Sequence, residues 1–228
     1  MVYKNPQELW LGKALTTGTT TVGLTFKDGV ILAADTRATA GYYIAHKNFK
    51  KILPVDKHAV MTVAGAVADA QAVHNYIRYE ATLYRIRNRS PMPIRSIASL
   101  ISLVLSQYSR RGPLILQSIV GGVDAEGPGL YLVQIFGGLV PDKYIVTGSG
   151  SPIAIGVLEE GYKEDMNRED AIALAVRSVV AAMKRDAATG DNFDVVIVDH
   201  HGITELSKEE KAGLAQRFLA SSPFSSLT

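Results

Sequence analysis

With 228 residues, 47% of them hydrophobic and 20% charged, the chain has the size and composition of one folded α/β domain, or at most two small ones. Its 24 basic and 22 acidic side chains leave a net charge of +2, too little to draw in nucleic acid through a large field. The absence of cysteine excludes disulfides, thiolate catalysis and cysteine metal sites.

Residues 1–18 have no periodic pattern, as suits a leader that is later removed. Neither they nor any later segment forms an apolar run long enough for a signal peptide or a membrane span, so the expected location is the cytoplasm, without a membrane partner. The leader runs into Thr16-Thr17-Gly18-Thr19-Thr20-Thr21-Val22-Gly23-Leu24, a glycine followed by threonines that open a β-strand. Two readings fit this string. Threonine is β-branched, so the residues suit a plain edge strand after a glycine turn. Alternatively, Gly18–Thr19 is a bond that the protein cuts in itself. A threonine made the first residue of a chain carries its own base, an α-amine with an ordinary pKa of about 7.7–8.0.

Thr20–Phe26 and Val30–Asp35 are β-rich runs separated by Lys27-Asp28-Gly29, where Asp-Gly signals a hairpin. Ile52–Val55 and Ala59–Ala64 form a second pair. From Asp69 the spacing of Val73, Ile77, Ala81 and Tyr84 predicts a helix that stops at Ser90-Pro91-Met92-Pro93. A second helix is predicted from Ile94 to near Ser109, packed antiparallel to the first in one layer. Strand signals return at Leu114–Val123, Leu130–Ile135 and Tyr144–Thr147. Ser151 as cap and Pro152 at the first helical position predict a helix over Ile153–Tyr162, and a fourth helix follows over Arg168–Ala188. Strands Asp194–Asp199 and Gly202–Leu206 and a helix near Ser207–Leu219 complete the chain. Strands in runs and helices in pairs predict an α+β fold, a four-layer αββα sandwich with two antiparallel sheets between two helical layers.

A freed Thr19 needs a cation nearby and a carboxylate to hold that cation. The first hairpin returns Asp35 close to the height of Thr19, and Lys51 lies just before the third strand. Such a pair keeps the lysine charged and lowers the pKa of a neighbouring hydroxyl. The same residues also suit a strand-end turn and a surface lysine. Gly65 sits at a strand-to-helix passage, where outward N–H groups suit an oxyanion, although a plain turn uses glycine too. Asp186 and Thr189, three apart at the predicted end of the fourth helix, share one face, where the acid opposes the dipole unless it meets a positive group such as an α-ammonium. Ser149 can add another hydroxyl.

The loop Gly148-Ser149-Gly150 lacks the nucleotide-binding glycine patterns, and the histidines lack metal-ligand spacing, with His200 and His201 expected on opposite sides of a strand. No metal or cofactor is expected.

The leader ending in Gly18 before Thr19-Thr20-Thr21-Val22-Gly23 is one of several motifs in a consistent order. The others are Gly29-Val30-Ile31-Leu32-Ala33-Ala34-Asp35-Thr36-Arg37, His46-Lys47-Asn48-Phe49-Lys50-Lys51, Ala64-Gly65, Gly148-Ser149-Gly150-Ser151 and Arg185-Asp186-Ala187-Ala188-Thr189-Gly190. From about Gly18 to the last strand the chain closely resembles a proteasome β-type subunit, most like the archaeal kind. The resemblance implies an N-terminal nucleophile hydrolase, a threonine endopeptidase made as a precursor, with residues 1–18 as propeptide and 19–228 as one domain. It also implies stacked seven-membered rings with other β subunits and outer α-type subunits, a regulatory ATPase acting through the α rings, and polypeptide substrates. By matching position, Thr19 is the nucleophile and its amine the base, Asp35 and Lys51 support it, and the Gly65 amide meets the oxyanion. Ser149, Asp186 and Thr189 hold the amine; the family usually has serine where this chain has Thr189. Ala38, Phe49, Val63 and Val67 are implied to line an apolar pocket for the residue before the cut bond. The rival readings are a noncatalytic β subunit and an N-terminal nucleophile amidohydrolase acting on small amides.

Overall fold

The computed structural model describes residues 18–110 and 112–219, so the expected leader, apart from Gly18, lies outside the described residues. The chain opens with strands β1 (Thr20–Phe26), β2 (Gly29–Asp35), β3 (Ala38–Ala40), β4 (Tyr43–His46), β5 (Ile52–Asp56), β6 (Ala59–Thr62) and β7 (Ala64–Gly65). Helices α1 (Val67–Asn88) and α2 (Ile94–Tyr108) follow, then strands β8 (Leu116–Asp124), β9 (Gly127–Val133), β10 (Leu139–Pro141) and β11 (Tyr144–Gly148). Helices α3 (Ser151–Gly161) and α4 (Arg168–Met183), strands β12 (Phe193–Asp199) and β13 (Gly202–Glu205), and helix α5 (Lys208–Leu219) complete the described chain.

These strands build two main antiparallel sheets. One has the order β11-β1-β2-β12-β13, and the other β10-β9-β8-β6-β5 with β7 also on β8, while β3 and β4 pair separately. The period of two along each strand sorts side chains between layers. On β2, Ile31 and Ala33 face α3 and α4, whereas Val30, Leu32 and Ala34 meet Ile119 and Leu130 of the second sheet. On the far face of that sheet, Met61, Leu116 and Val120 pack against Val73 and Ile77 of α1 and Ile97 and Ile101 of α2. Helix α5 joins the first helical layer through Leu214 and Phe218. The result is the expected four-layer αββα sandwich. Burying a leucine- or isoleucine-sized side chain contributes roughly 1.5–3 kcal/mol, so the three apolar interfaces together dominate the stability.

The start of β1 is pinned from both sides. Register places Thr21 opposite Ala34 on β2 and Thr147 on β11. The Thr21 hydroxyl, fully buried between the sheets, lies 2.5 Å from Thr147 Oγ1 and 3.2 Å from Thr62 Oγ1. Thr62 Oγ1 in turn accepts from the Ile119 N–H at 2.9 Å, so this buried polar cluster is satisfied and holds the strand that carries Thr19.

Several local expectations differ from the structure. The β3–β4 hairpin and β10 were not anticipated; β4 carries exposed Tyr43 and ends on exposed His46, so it lacks the alternation that marks a half-buried strand. Gly150, not Ser151, is the cap of α3, and the Ser151 hydroxyl donates to the Gly148 carbonyl at 2.6 Å. Helix α4 ends at Met183, so Asp186 and Thr189 lie in the turns beyond it rather than on a helical face. His200 and His201 occupy the turn between β12 and β13 instead of a strand.

Candidate active site

The Gly18–Thr19 peptide lies at the mouth of the first sheet, where β1 begins. Thr19 is only 6% exposed. Its hydroxyl donates to the Gly18 carbonyl at 2.7 Å, which sets the alcohol oxygen directly beside the peptide group preceding it. Its backbone N–H donates to Ser149 Oγ at 3.2 Å. Gly18 is held as tightly: its N–H donates to Thr39 Oγ1 at 2.9 Å, and a Cβ placed on it would lie 1.7 Å from Ala188 Cβ.

Asp35 ends β2 and Lys51 precedes β5; both are essentially sealed from solvent, at 0% and 2% exposure. Lys51 Nζ donates to Asp35 Oδ1 at 2.7 Å, and that same oxygen accepts from the Thr20 N–H at 2.9 Å. The other carboxylate oxygen accepts from the Gly190 and Arg37 N–H groups, each at 3.1 Å. Burial pushes the Asp35 carboxyl up and the Lys51 ammonium down, and their mutual attraction opposes both shifts. The pair therefore fixes a cation next to Thr19 through the backbone of the following residue.

The turns after α4 bring in a second carboxylate. Asp186 Oδ2 accepts from Ser149 Oγ at 2.5 Å and from Thr189 Oγ1 at 2.6 Å. Thr189 has thereby committed its one proton, so Thr20 is the donor in the 2.8 Å contact between Thr20 Oγ1 and Thr189 Oγ1. The chain of hydroxyls thus runs from Thr20 through Thr189 and Asp186 to Ser149 and back to the Thr19 nitrogen. The methyl of Thr189 is accommodated in a position only 1% exposed.

Beside Thr19 and Lys51 lies a cavity of about 60 Å³ whose walls include Ala38, Phe49, Val63 and Val67. Gly65 completes that wall, with a φ of 137° and its missing Cβ aimed within 2.1 Å of the Ile115 carbonyl oxygen. Glycine is therefore required there by backbone conformation and by the chain at Ile115, just before β8, a stronger reason than room for an approaching carbonyl. The structure thus gathers Gly18, Thr19, Lys51, Gly65 and the four apolar residues around one cavity, with Asp35, Ser149, Asp186 and Thr189 behind it.

Three further residues at this site carried no assigned role in the sequence reading. Arg37 grips the turn beyond α4, with Nε 2.8 Å from Asp191 Oδ2 and Nη1 donating to the Ala187 carbonyl at 2.8 Å. Thr20 donates to Asp35 directly and reaches Asp186 through Thr189, and Thr39 holds Gly18. Their partners are far away in sequence, Thr20 and Thr189 being 169 positions apart, so no local pattern marks them.

The site thus sets Thr19, at the mouth of the first sheet of a four-layer αββα sandwich, in one cavity wall with the buried Lys51. The chain matches the family described as "Proteasome subunit" over residues 15–198, most of its length. It is 48% identical over 202 residues to "Proteasome subunit beta 1" of Korarchaeum cryptofilum, an alignment covering 89% of this chain and 98% of that protein. It is 46% identical over 194 residues to "Proteasome subunit beta 2" of Cenarchaeum symbiosum, covering 85% and 92% of the two chains. With "Proteasome subunit beta 2" of Pyrobaculum islandicum the identity is 48% over 189 residues, covering 82% and 94%. The chain belongs to the proteasome β-subunit family.

Proposed function

We propose that this chain is a self-processing threonine endopeptidase of a proteasome core particle, with Thr19 as its nucleophile. The observation that carries the reading is the Thr19 hydroxyl 2.7 Å from the Gly18 carbonyl oxygen, beside the buried Asp35–Lys51 pair. In the first reaction Thr19 Oγ1 attacks the Gly18 carbonyl carbon, the Gly18–Thr19 C–N bond breaks, and the hydroxyl proton ends on the departing Thr19 nitrogen. Water then hydrolyses the ester, leaving a Gly18 carboxylate and a free Thr19 hydroxyl. Before this step the Thr19 nitrogen is an amide and cannot accept a proton, so the precursor is inactive. Afterwards the freed amine serves as the base, and the same alcohol attacks substrate peptide bonds through an acyl-enzyme that water resolves.

Each surrounding group has a role in this chemistry. The Lys51 cation, held by Asp35, favours the ionised form of the nearby alcohol. Ser149, Asp186 and Thr189 orient the amine, and the Gly65 amide faces the developing oxyanion. Ala38, Phe49, Val63 and Val67 favour leucine, phenylalanine or tyrosine before the cut bond. The chain works in stacked seven-membered rings with other β subunits, flanked by α-type subunits through which a regulatory ATPase feeds unfolded polypeptides. Among the described residues no helix is long and apolar enough to cross a membrane, and the proposed location is the cytoplasm.

The test is peptide hydrolysis by the chain co-assembled with α-type subunits. Peptides cut after large apolar residues are expected to be hydrolysed by the wild type and not by Thr19→Ala. Hydrolysis by Thr19→Ala would contradict the nucleophile, and a strong preference for acidic or basic residues would contradict the pocket.

A further inference from the structure

The Thr39 hydroxyl is hydrogen-bonded to Gly18, the residue whose carbonyl forms the bond proposed to be cut. Thr39 Oγ1 accepts from the Gly18 N–H at 2.9 Å. Successive residues of a strand point to opposite faces, yet Ala38 and Thr39, neighbours on β3, both line the cavity beside Thr19. The β3–β4 ladder shifts register at this point, Ala38 pairing with His46 and Thr39 with Ile44, so the extra residue, Ala45, sits on β4.

We infer that Thr39 is a positioning residue for self-cleavage, acting through its hydroxyl on the Gly18 amide; the inference rests on the reading of Gly18–Thr19 as the processed bond. Glycine has the freest backbone of any residue, so an unanchored Gly18 would let its carbonyl swing away from the attacking alcohol. The structure holds the Gly18 residue on both sides of its Cα, by Thr39 on its N–H and by the Thr19 hydroxyl on its carbonyl at 2.7 Å. Fixing the reacting groups within bonding reach is where an intramolecular attack gains its rate, and a small misplacement loses much of it. Losing the anchor also leaves the half-buried Gly18 N–H without its acceptor.

The experiment follows leader loss over time by intact-mass spectrometry in complexes co-assembled with α-type subunits. Thr39→Val keeps the side-chain shape and removes the acceptor; it is expected to slow self-cleavage about tenfold, the scale of one hydrogen bond lost beside the reacting carbonyl. Thr39→Ser keeps the acceptor and loses the methyl, and is expected to process at close to the wild-type rate. Should valine prevent assembly, Thr39→Ala takes its place with the same expected slowing. Wild-type processing in the variant without a hydroxyl, or equal slowing in Thr39→Ser, would overturn the role. Thr19→Ala runs alongside: leader loss in that variant would sink the self-cleavage reading itself, whereas its retention with normal processing of Thr39→Val would sink only the role of Thr39.

Discussion

Lys51 Nζ and Asp35 Oδ1 meet at 2.7 Å with almost no access to solvent, and the same carboxylate oxygen holds the backbone of Thr20. A pair this deeply buried is weak as a source of stability but severe when broken, because the survivor is left uncompensated. Lys51→Ala is expected to lower the unfolding free energy by about 3–5 kcal/mol and to abolish both self-cleavage and peptide hydrolysis. Asp35→Asn, which keeps the shape and removes the charge, is expected to lose hydrolysis as well. Denaturant unfolding and a peptidase assay on each variant check the two halves of this expectation.

Thr189 separates the hydroxyl from the methyl. Thr189→Ser retains the bonds to Asp186 and Thr20 and is expected to hydrolyse peptides within about threefold of the wild type, since only one methyl is removed. Thr189→Val removes one donor from the half-buried Asp186 and leaves the fully buried Thr20 hydroxyl short of an acceptor, at a cost of about 1–3 kcal/mol. Steady-state kinetics are expected to show the loss in kcat for valine alone.

Gly18 is bounded by backbone as well as by a side chain. A Cβ there would lie 1.7 Å from Ala188 Cβ, but also 2.6 Å from Ala188 Cα and 2.7 Å from its carbonyl oxygen. Gly18→Ala is therefore expected to stall leader removal, and the double variant with Ala188→Gly is expected to stay stalled, because deleting the methyl leaves the backbone contacts in place. Intact-mass spectrometry of both variants decides the point; restored processing in the double variant would show the methyl to be the sole obstacle.

Arg37 gives a pH dependence. Its hydrogen bond to Asp191 holds that carboxyl below the ordinary aspartate range, so the folded state favours the ionised form. The resulting stabilisation is complete above the unfolded pKa and is lost as pH falls through the lower, folded one. The difference in melting temperature between the wild type and Asp191→Asn is expected to be largest near neutral pH and to shrink in acid. A constant offset across the acid range would contradict the ion pair's role in holding the turn that carries Asp186 and Thr189.

Much of this fold was legible because it rests on periodicity. The Asp28-Gly29 turn announced the first hairpin, and the spacing of Val73, Ile77 and Ala81 announced the buried face of α1. The β3–β4 hairpin escaped because exposed Tyr42 and Tyr43 hide any alternation. The end of α4 was misjudged because Lys184 to Ala188 continues a good helical composition, while the chain instead turns to bring Asp186 under Ser149. The residues of the site came from motifs in order along the chain; the role of Thr39 did not, since nothing near it in sequence reveals an amide that lies 21 positions earlier.

The most direct measurement of the central claim is the first residue of the assembled protein. N-terminal sequencing after co-assembly with α-type subunits is expected to find Thr19 first in the wild type and an intact leader in Thr19→Ala. A wild-type chain that still begins before Thr19 while it hydrolyses peptides would contradict the account, because the amine proposed as the base would not exist.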